Sequence, residues 1–168
     1  MITLPAKEIL DGRCQSNGKH NNRRRSHRAT VMNLSASLAF FTNCLGWRLF
    51  GEKPDYPAAF VTDGHLKVTL WQVRDQSHCQ GFDRHQNVGL HHLALKVRTL
   101  EDLHLLYDKT REWPNVSTEF GPEPSGAGPK IHFMIYEPGC CRMEFSWNRG
   151  DPRFSMIGSS SIRETWRA

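Results

Sequence analysis

The stretch Asn33-Leu-Ser-Ala-Ser-Leu-Ala-Phe-Phe41, continuing to Leu45-Gly46-Trp47, reads as a short amphipathic helix with both ends marked. Leu34, Leu38, Phe41 and Leu45 recur at helical spacing and fall on one face. Asn33 or Ser35 can cap the first turn, and Gly46 suits the left-handed position that stops a helix. Strand candidates flank this helix. Arg28 to Met32 precedes it; Trp47 to Phe50 and Ala58 to Val61 follow. Leu66 to Val73 alternates strictly, with Leu66, Val68 and Leu70 on one side and Lys67, Thr69 and Trp71 on the other. Asp63-Gly64 signals a hairpin between the last two strands.

A second unit of the same order follows a polar connection over residues 74–88. In His91-His92-Leu-Ala-Leu-Lys-Val97, His91, Leu93, Leu95 and Val97 share one face; His92, Ala94 and Lys96 share the other. Thr99 and Asp102 form a capping-box pattern ahead of a helix carrying Leu103, Leu106 and Tyr107, which should end before Pro114. Gly121 to Pro129, rich in Gly and Pro, is expected to be a long loop. Lys130 to Tyr136 is a strand, Glu137-Pro138-Gly139 a turn, and Arg142 to Trp147 a final strand. At an offset of 66 residues Val31 meets Val97, Leu34 meets Leu100, Phe40 meets Leu106 and Phe41 meets Tyr107. The repeat suggests two related modules packed as one domain.

Composition is consistent with this. A chain of 168 residues, 38% hydrophobic and 23% charged, suits one folded domain and not a disordered chain. No apolar run approaches the ~18 residues of a membrane span, and the first residues lack a secretory apolar core. Cys14, Cys44, Cys79, Cys140 and Cys141 are odd in number and include no CxxC pair, so a reducing, cytoplasmic setting is expected. Of the net charge of +5, residues 1–25 carry +4, through six basic and two acidic side chains. That segment reads as a basic, solvated arm, and nucleic acid is not an expected partner.

In order and spacing, residues 33–47, His92 to Val97, the Glu137-Pro138-Gly139 turn and Arg142 to Phe145 resemble the vicinal oxygen chelate superfamily. That group includes glyoxalase I, bleomycin-resistance proteins and extradiol dioxygenases. The resemblance implies an α+β fold of two βαβββ modules, with curled mixed sheets around a cavity. It covers residues 26–148, with module one at about 26–73 and module two at about 89–148. The arm 1–25 and a C-terminal extension 149–168 lie outside it.

The resemblance also implies where a site would lie. Family metal ligands sit on the opening and closing strands of each module, which gives His92 and Glu144 in the second. Imidazole and carboxylate suit Zn, Ni, Mn or Fe. The first-module equivalents are Ser26 and Thr69, both poor ligands. His27, one residue from Ser26, could serve as a third ligand if a bulge turned it inward. Thr69, Trp71, His132, Met134, Tyr136 and Arg142 are expected to line the cavity, and Trp71 with Trp47 could stack on a flat ligand. His91 reads as structural. Without a metal, His92 would be a buried, hydrogen-bonded residue, and Glu144 would pair with a base such as Arg142 or Lys96.

Two functions follow from the resemblance. The first is a metal-dependent enzyme, a lyase or isomerase of glyoxalase type or an extradiol-dioxygenase-like protein. It would act on a small substrate with vicinal oxygens, with Glu144 as catalytic residue. Against the dioxygenase variant, Met134 stands where such enzymes carry a tyrosine, with Tyr136 displaced by two residues. The second is a metal-free protein that sequesters a small molecule, as bleomycin-resistance proteins do. A homodimer is expected in either case, and a partner chain could complete the site.

Overall fold

The computed structural model describes residues 25–151, so the proposed basic arm and C-terminal extension lie outside the described residues. The first module runs β1 (Arg25–Val31), α1 (Leu34–Ala39), a π-helical turn (Phe40–Cys44), β2 (Arg48–Lys53), β3 (Ala58–Thr62) and β4 (Leu66–Gln72). The second runs β5 (Leu93–Lys96), α2 (Leu100–Arg111), β6 (Ser117–Pro124), β7 (Lys130–Tyr136) and β8 (Arg142–Asn148). Each module forms a four-stranded mixed sheet, ordered β1-β4-β3-β2 and β5-β8-β7-β6. In each, the opening strand pairs in parallel with the closing strand. Neither sheet closes on itself. The expected α+β fold of two βαβββ modules is present.

Local chemistry explains the element boundaries. The Asn33 side chain accepts from the Ala36 amide at 3.0 Å and starts α1. Gln72 ties that start to β4: its Oε1 accepts from Leu34 N and its Nε2 donates to Met32 O, each at 2.7 Å. After α1 the chain widens into the π turn, which buries Phe40, Phe41 and Cys44, and Gly46 at φ 71° ends it. Thr99 and Asp102 make the reciprocal capping box on α2. The Asp63 carboxylate accepts from His65 N and Leu66 N and closes the β3–β4 hairpin.

One hydrophobic cluster draws on both modules, including Val31, Phe40, Phe41 and Leu70 from the first and Leu93, Leu103, Phe133 and Phe145 from the second. Phe40 meets Trp113 across the modules, ring centroids 6.4 Å apart. The two sheets therefore share a core on their helix sides.

The sequence expectation fails in one long segment. Gly121 and Pro122 lie inside β6 and not in a loop; only residues 125–129 separate β6 from β7. Proline is tolerated there because β6 is the edge strand, and its register with β7 shifts on both sides of Phe120. β5 is also shorter than expected, and His91 and His92 precede it.

Candidate functional site

The outward face of the second sheet follows from its register. Ala94 pairs with Glu144 and Lys96 with Ser146; Glu144 pairs in turn with Met134, Ser146 with His132 and Asn148 with Lys130. Cross-strand partners present their side chains to one face, so Lys130, His132, Met134, Glu144 and Ser146 share it. The opposite side carries Met143, Phe145 and Phe133, all buried in the core.

Glu144 is the centre of this face. Its side chain is 7% exposed, an acid buried on a strand whose other buried charge is Arg142. Lys130 Nζ donates to Oε1 at 2.5 Å, and His132 Nδ1 lies 2.5 Å from the same oxygen. His92 Nε2 approaches Oε2 at 3.4 Å. Burial acts to raise the Glu144 pKa, but hydrogen bonds and charge from Lys130 and His132 outweigh it and hold the carboxyl below its ordinary value. The Phe120 ring flanks His132 at 5.0 Å.

A second polar cluster adjoins the first. Arg142 grips Glu119 with two charge-assisted bonds, Nε to Oε2 at 2.7 Å and Nη2 to Oε1 at 3.0 Å. Arg84, from the connection between modules, adds a third at 3.1 Å. Hydrogen bonds to Arg142, ahead of opposing burial, keep Glu119 ionised to lower pH than usual. His91 links the clusters, with Nδ1 2.8 Å from His92 Nδ1 and 3.2 Å from Arg142 Nη1. His91 is exposed at the rim of the site.

The structure brings together His92, Glu144 and His132, three of the residues expected from sequence. The base on Glu144 is Lys130. Arg142 pairs instead with Glu119, and Lys96 with Asp151 at 3.0 Å. Lys130 was legible in principle, because the alternation His132, Met134, Tyr136 extends back to it. Glu119 was not, because it sits in the irregular register of β6.

Other expected residues lie elsewhere. Ser26, Arg28 and Thr69 belong to the open face of the first sheet, with Ser26 opposite Lys67 and Arg28 opposite Thr69. His27 pairs with Val68 in an uninterrupted β1–β4 register, so no bulge turns it toward the Ser26 face. Trp47 is buried against Phe41 at 5.2 Å and does not join Trp71. Trp71 packs with Tyr56 at 4.8 Å and Phe60 at 6.4 Å.

The donor set does not fit a divalent ion in this arrangement. Glu144 Oε1 already receives both Lys130 and His132, and an ammonium stands where a cation would need to sit. Among the described residues no three His, Cys, Asp or Glu side chains form a metal-ligand set. The positions equivalent to His92 and Glu144 in the first module are a serine and a threonine.

Comparison with known proteins agrees with the fold. A family model described as the Glyoxalase/Bleomycin resistance protein/Dioxygenase superfamily matches residues 26–145. A search of curated protein sequences finds no match. Among solved structures, a glyoxalase/bleomycin resistance protein/dioxygenase from Alicyclobacillus acidocaldarius is similar, with TM-score 0.58 and 15% identity over 82% of this chain and 99% of that one. A lactoylglutathione lyase from Agrobacterium tumefaciens gives TM-score 0.56 and 16% identity over 73% and 90%. The fosfomycin resistance protein FosX from Listeria monocytogenes gives 0.56 and 14% over 72% and 88%. At these identities the likeness is one of fold.

Proposed function

Since the chain belongs to the glyoxalase/bleomycin resistance/dioxygenase superfamily, also called the vicinal oxygen chelate superfamily, we propose that it is a metal-free member that binds and sequesters a small organic molecule. The observation that carries this reading is the Lys130 ammonium on Glu144 at 2.5 Å. It neutralises the one carboxylate that a metal would require. With Glu144 committed, the face offers a ligand polar anchors in His92 and His132 and apolar contact from Phe120. A few convergent polar groups beside apolar side chains are what a binding face for a small molecule needs. No described helix is long and apolar enough to cross a membrane.

The approach of His92 Nε2 to Glu144 Oε2, 3.4 Å, favours the other reading, a metal-dependent enzyme of glyoxalase type. Elemental analysis of protein purified without chelator or metal-binding tag separates the two. We expect no stoichiometric first-row metal. One ion per chain, lost in both His92→Ala and Glu144→Ala, would establish the enzyme reading instead. The homodimer implied by the family is part of the same proposal, and light scattering on the purified chain checks it.

A further inference from the structure

The open face of the first sheet carries charge of one sign. Its register aligns Ser26, Arg28 and Thr30 on β1 with Lys67, Thr69 and Trp71 on β4, then with Thr62, Phe60 and Ala58 on β3, and with Arg48, Gly51 and Lys53 on β2. These positions include four cations and no carboxylate. Glu52 pairs with Ala59 and falls on the other side.

Two of the four, Arg48 and Lys67, share the cross-strand row through Thr62 at one end of the face. Arg48, Phe50, Thr62, Gly64, His65 and Lys67 line a cavity of about 240 Å³. Neither Arg48 nor Lys67 makes an ion pair among the described residues. Lys67 Nζ lies over the Phe50 ring, 4.9 Å from its centroid, which holds the ammonium at the cavity edge. Beside it runs a row of rings. Phe50 stands 6.0 Å from Phe60, Phe60 6.4 Å from Trp71, and Trp71 4.8 Å from Tyr56. Phe50 is 40% and Tyr56 57% exposed, so the row is open to a ligand.

We propose that this face is a binding site for a planar aromatic oxyanion, an aryl carboxylate or aryl phosphate. Arg48 and Lys67 hold the oxyanion in the cavity, and the ring lies along Phe60 and Trp71. A guanidinium and an ammonium with no carboxylate partner among the described residues are poised to pair with an anion. The adjoining aromatic row selects a flat apolar body over a bare ion. The site lies on the other sheet from Glu144 and does not depend on the function proposed for that residue.

Isothermal titration with 2-naphthoate, 2-naphthyl phosphate and neutral 2-naphthol tests this. At least one anion should bind about tenfold or more tightly than naphthol, as charge-assisted hydrogen bonds are worth. R48Q and K67Q should each remove about that factor, with the unfolding midpoint of each variant unchanged. Trp71→Ala should weaken anion and naphthol alike. Glu144→Gln should leave all three affinities within about twofold, since it alters no group on this face. Equal affinity for anion and naphthol, or no effect of either charge substitution, would overturn the proposal. So would a loss in Glu144→Gln matching that in R48Q, which would place the ligand on the second sheet. A third contrary outcome is that no probe binds while R48Q turns a dimer into monomers, showing the face to be covered by a second copy.

Discussion

The two sheets have one topology and opposite chemistry on their open faces. On the second sheet every charged group near the centre is paired: Glu144 with Lys130 and His132, Arg142 with Glu119. On the first sheet Arg48 and Lys67 have no ion-pair partner among the described residues, and rings replace the acid–base network. Thr69 occupies the place of Glu144 and Ser26 that of His92. The shared backbone explains the common fold, because both modules bury the same helix-facing positions. It does not dictate the outer face, where alternate residues are free to change without touching the core. A repeat in sequence therefore predicts duplicated architecture and leaves each site to be read separately.

The two modules share one hydrophobic cluster and are expected to unfold as one unit. The largest effect should come from that shared core. Phe133→Ala in the second module should cost about 3–5 kcal/mol and Leu70→Ala in the first about 2–5 kcal/mol. Both residues are fully buried. Each substitution should lower a single unfolding transition seen by circular dichroism and by tryptophan fluorescence. Separate transitions for the two probes would divide the molecule into independent modules.

A smaller effect sharpens the contrast between faces. Glu144→Gln should cost about 1–3 kcal/mol at neutral pH by leaving Lys130 and His132 without their ionised acceptor. Thr69→Val, at the equivalent place, should cost less, since among the described residues no hydrogen bond links its hydroxyl to a comparable network. The Glu144 effect also has a pH signature. Its carboxyl is held below the ordinary value, so its contribution is complete above the unfolded pKa of about 4.3 and is lost as pH falls through the lower folded value. The difference in unfolding midpoint between wild type and Glu144→Gln should shrink over that acid range. A difference that grew on acidification would mean that the charged form is not the stabilised one.

The smallest effect belongs to Lys96→Ala. Lys96 and Asp151 pair at 3.0 Å, but Lys96 is substantially exposed, so chemical denaturation should show a loss of about 0–1 kcal/mol. Leu95→Ala, whose side chain is half-buried against the core, should cost more. A reversal would invert the facing of β5.

Much of this was legible in the sequence because alternation and capping are local. Asn33, Gly46, Thr99 and the Asp63-Gly64 turn mark their elements through neighbours two to four residues away. The outward placement of Glu144 and His132 followed from period two. What the sequence hid depended on other strands. Pro122 lies in β6 because that strand is an edge, a fact of sheet order and not of residues 121–129. The choice between Lys130, Lys96 and Arg142 as partner of Glu144 turns on acids remote in sequence from the last two, since Lys96 pairs with Asp151 and Arg142 with Glu119. His27 could be placed only once the β1–β4 register showed no bulge.

The central claim is that Lys130, and not a metal ion, balances Glu144. Calorimetric titration of the wild type and of Lys130→Met with Zn, Ni, Mn and Fe(II) tests it most directly. The wild type should bind none of them stoichiometrically. Lys130→Met frees Glu144 Oε1 of its ammonium and should gain measurable affinity once Glu144, His92 and His132 reorient onto the ion. One tightly bound ion per wild-type chain, unaffected by Lys130→Met and abolished by Glu144→Ala, would contradict the claim.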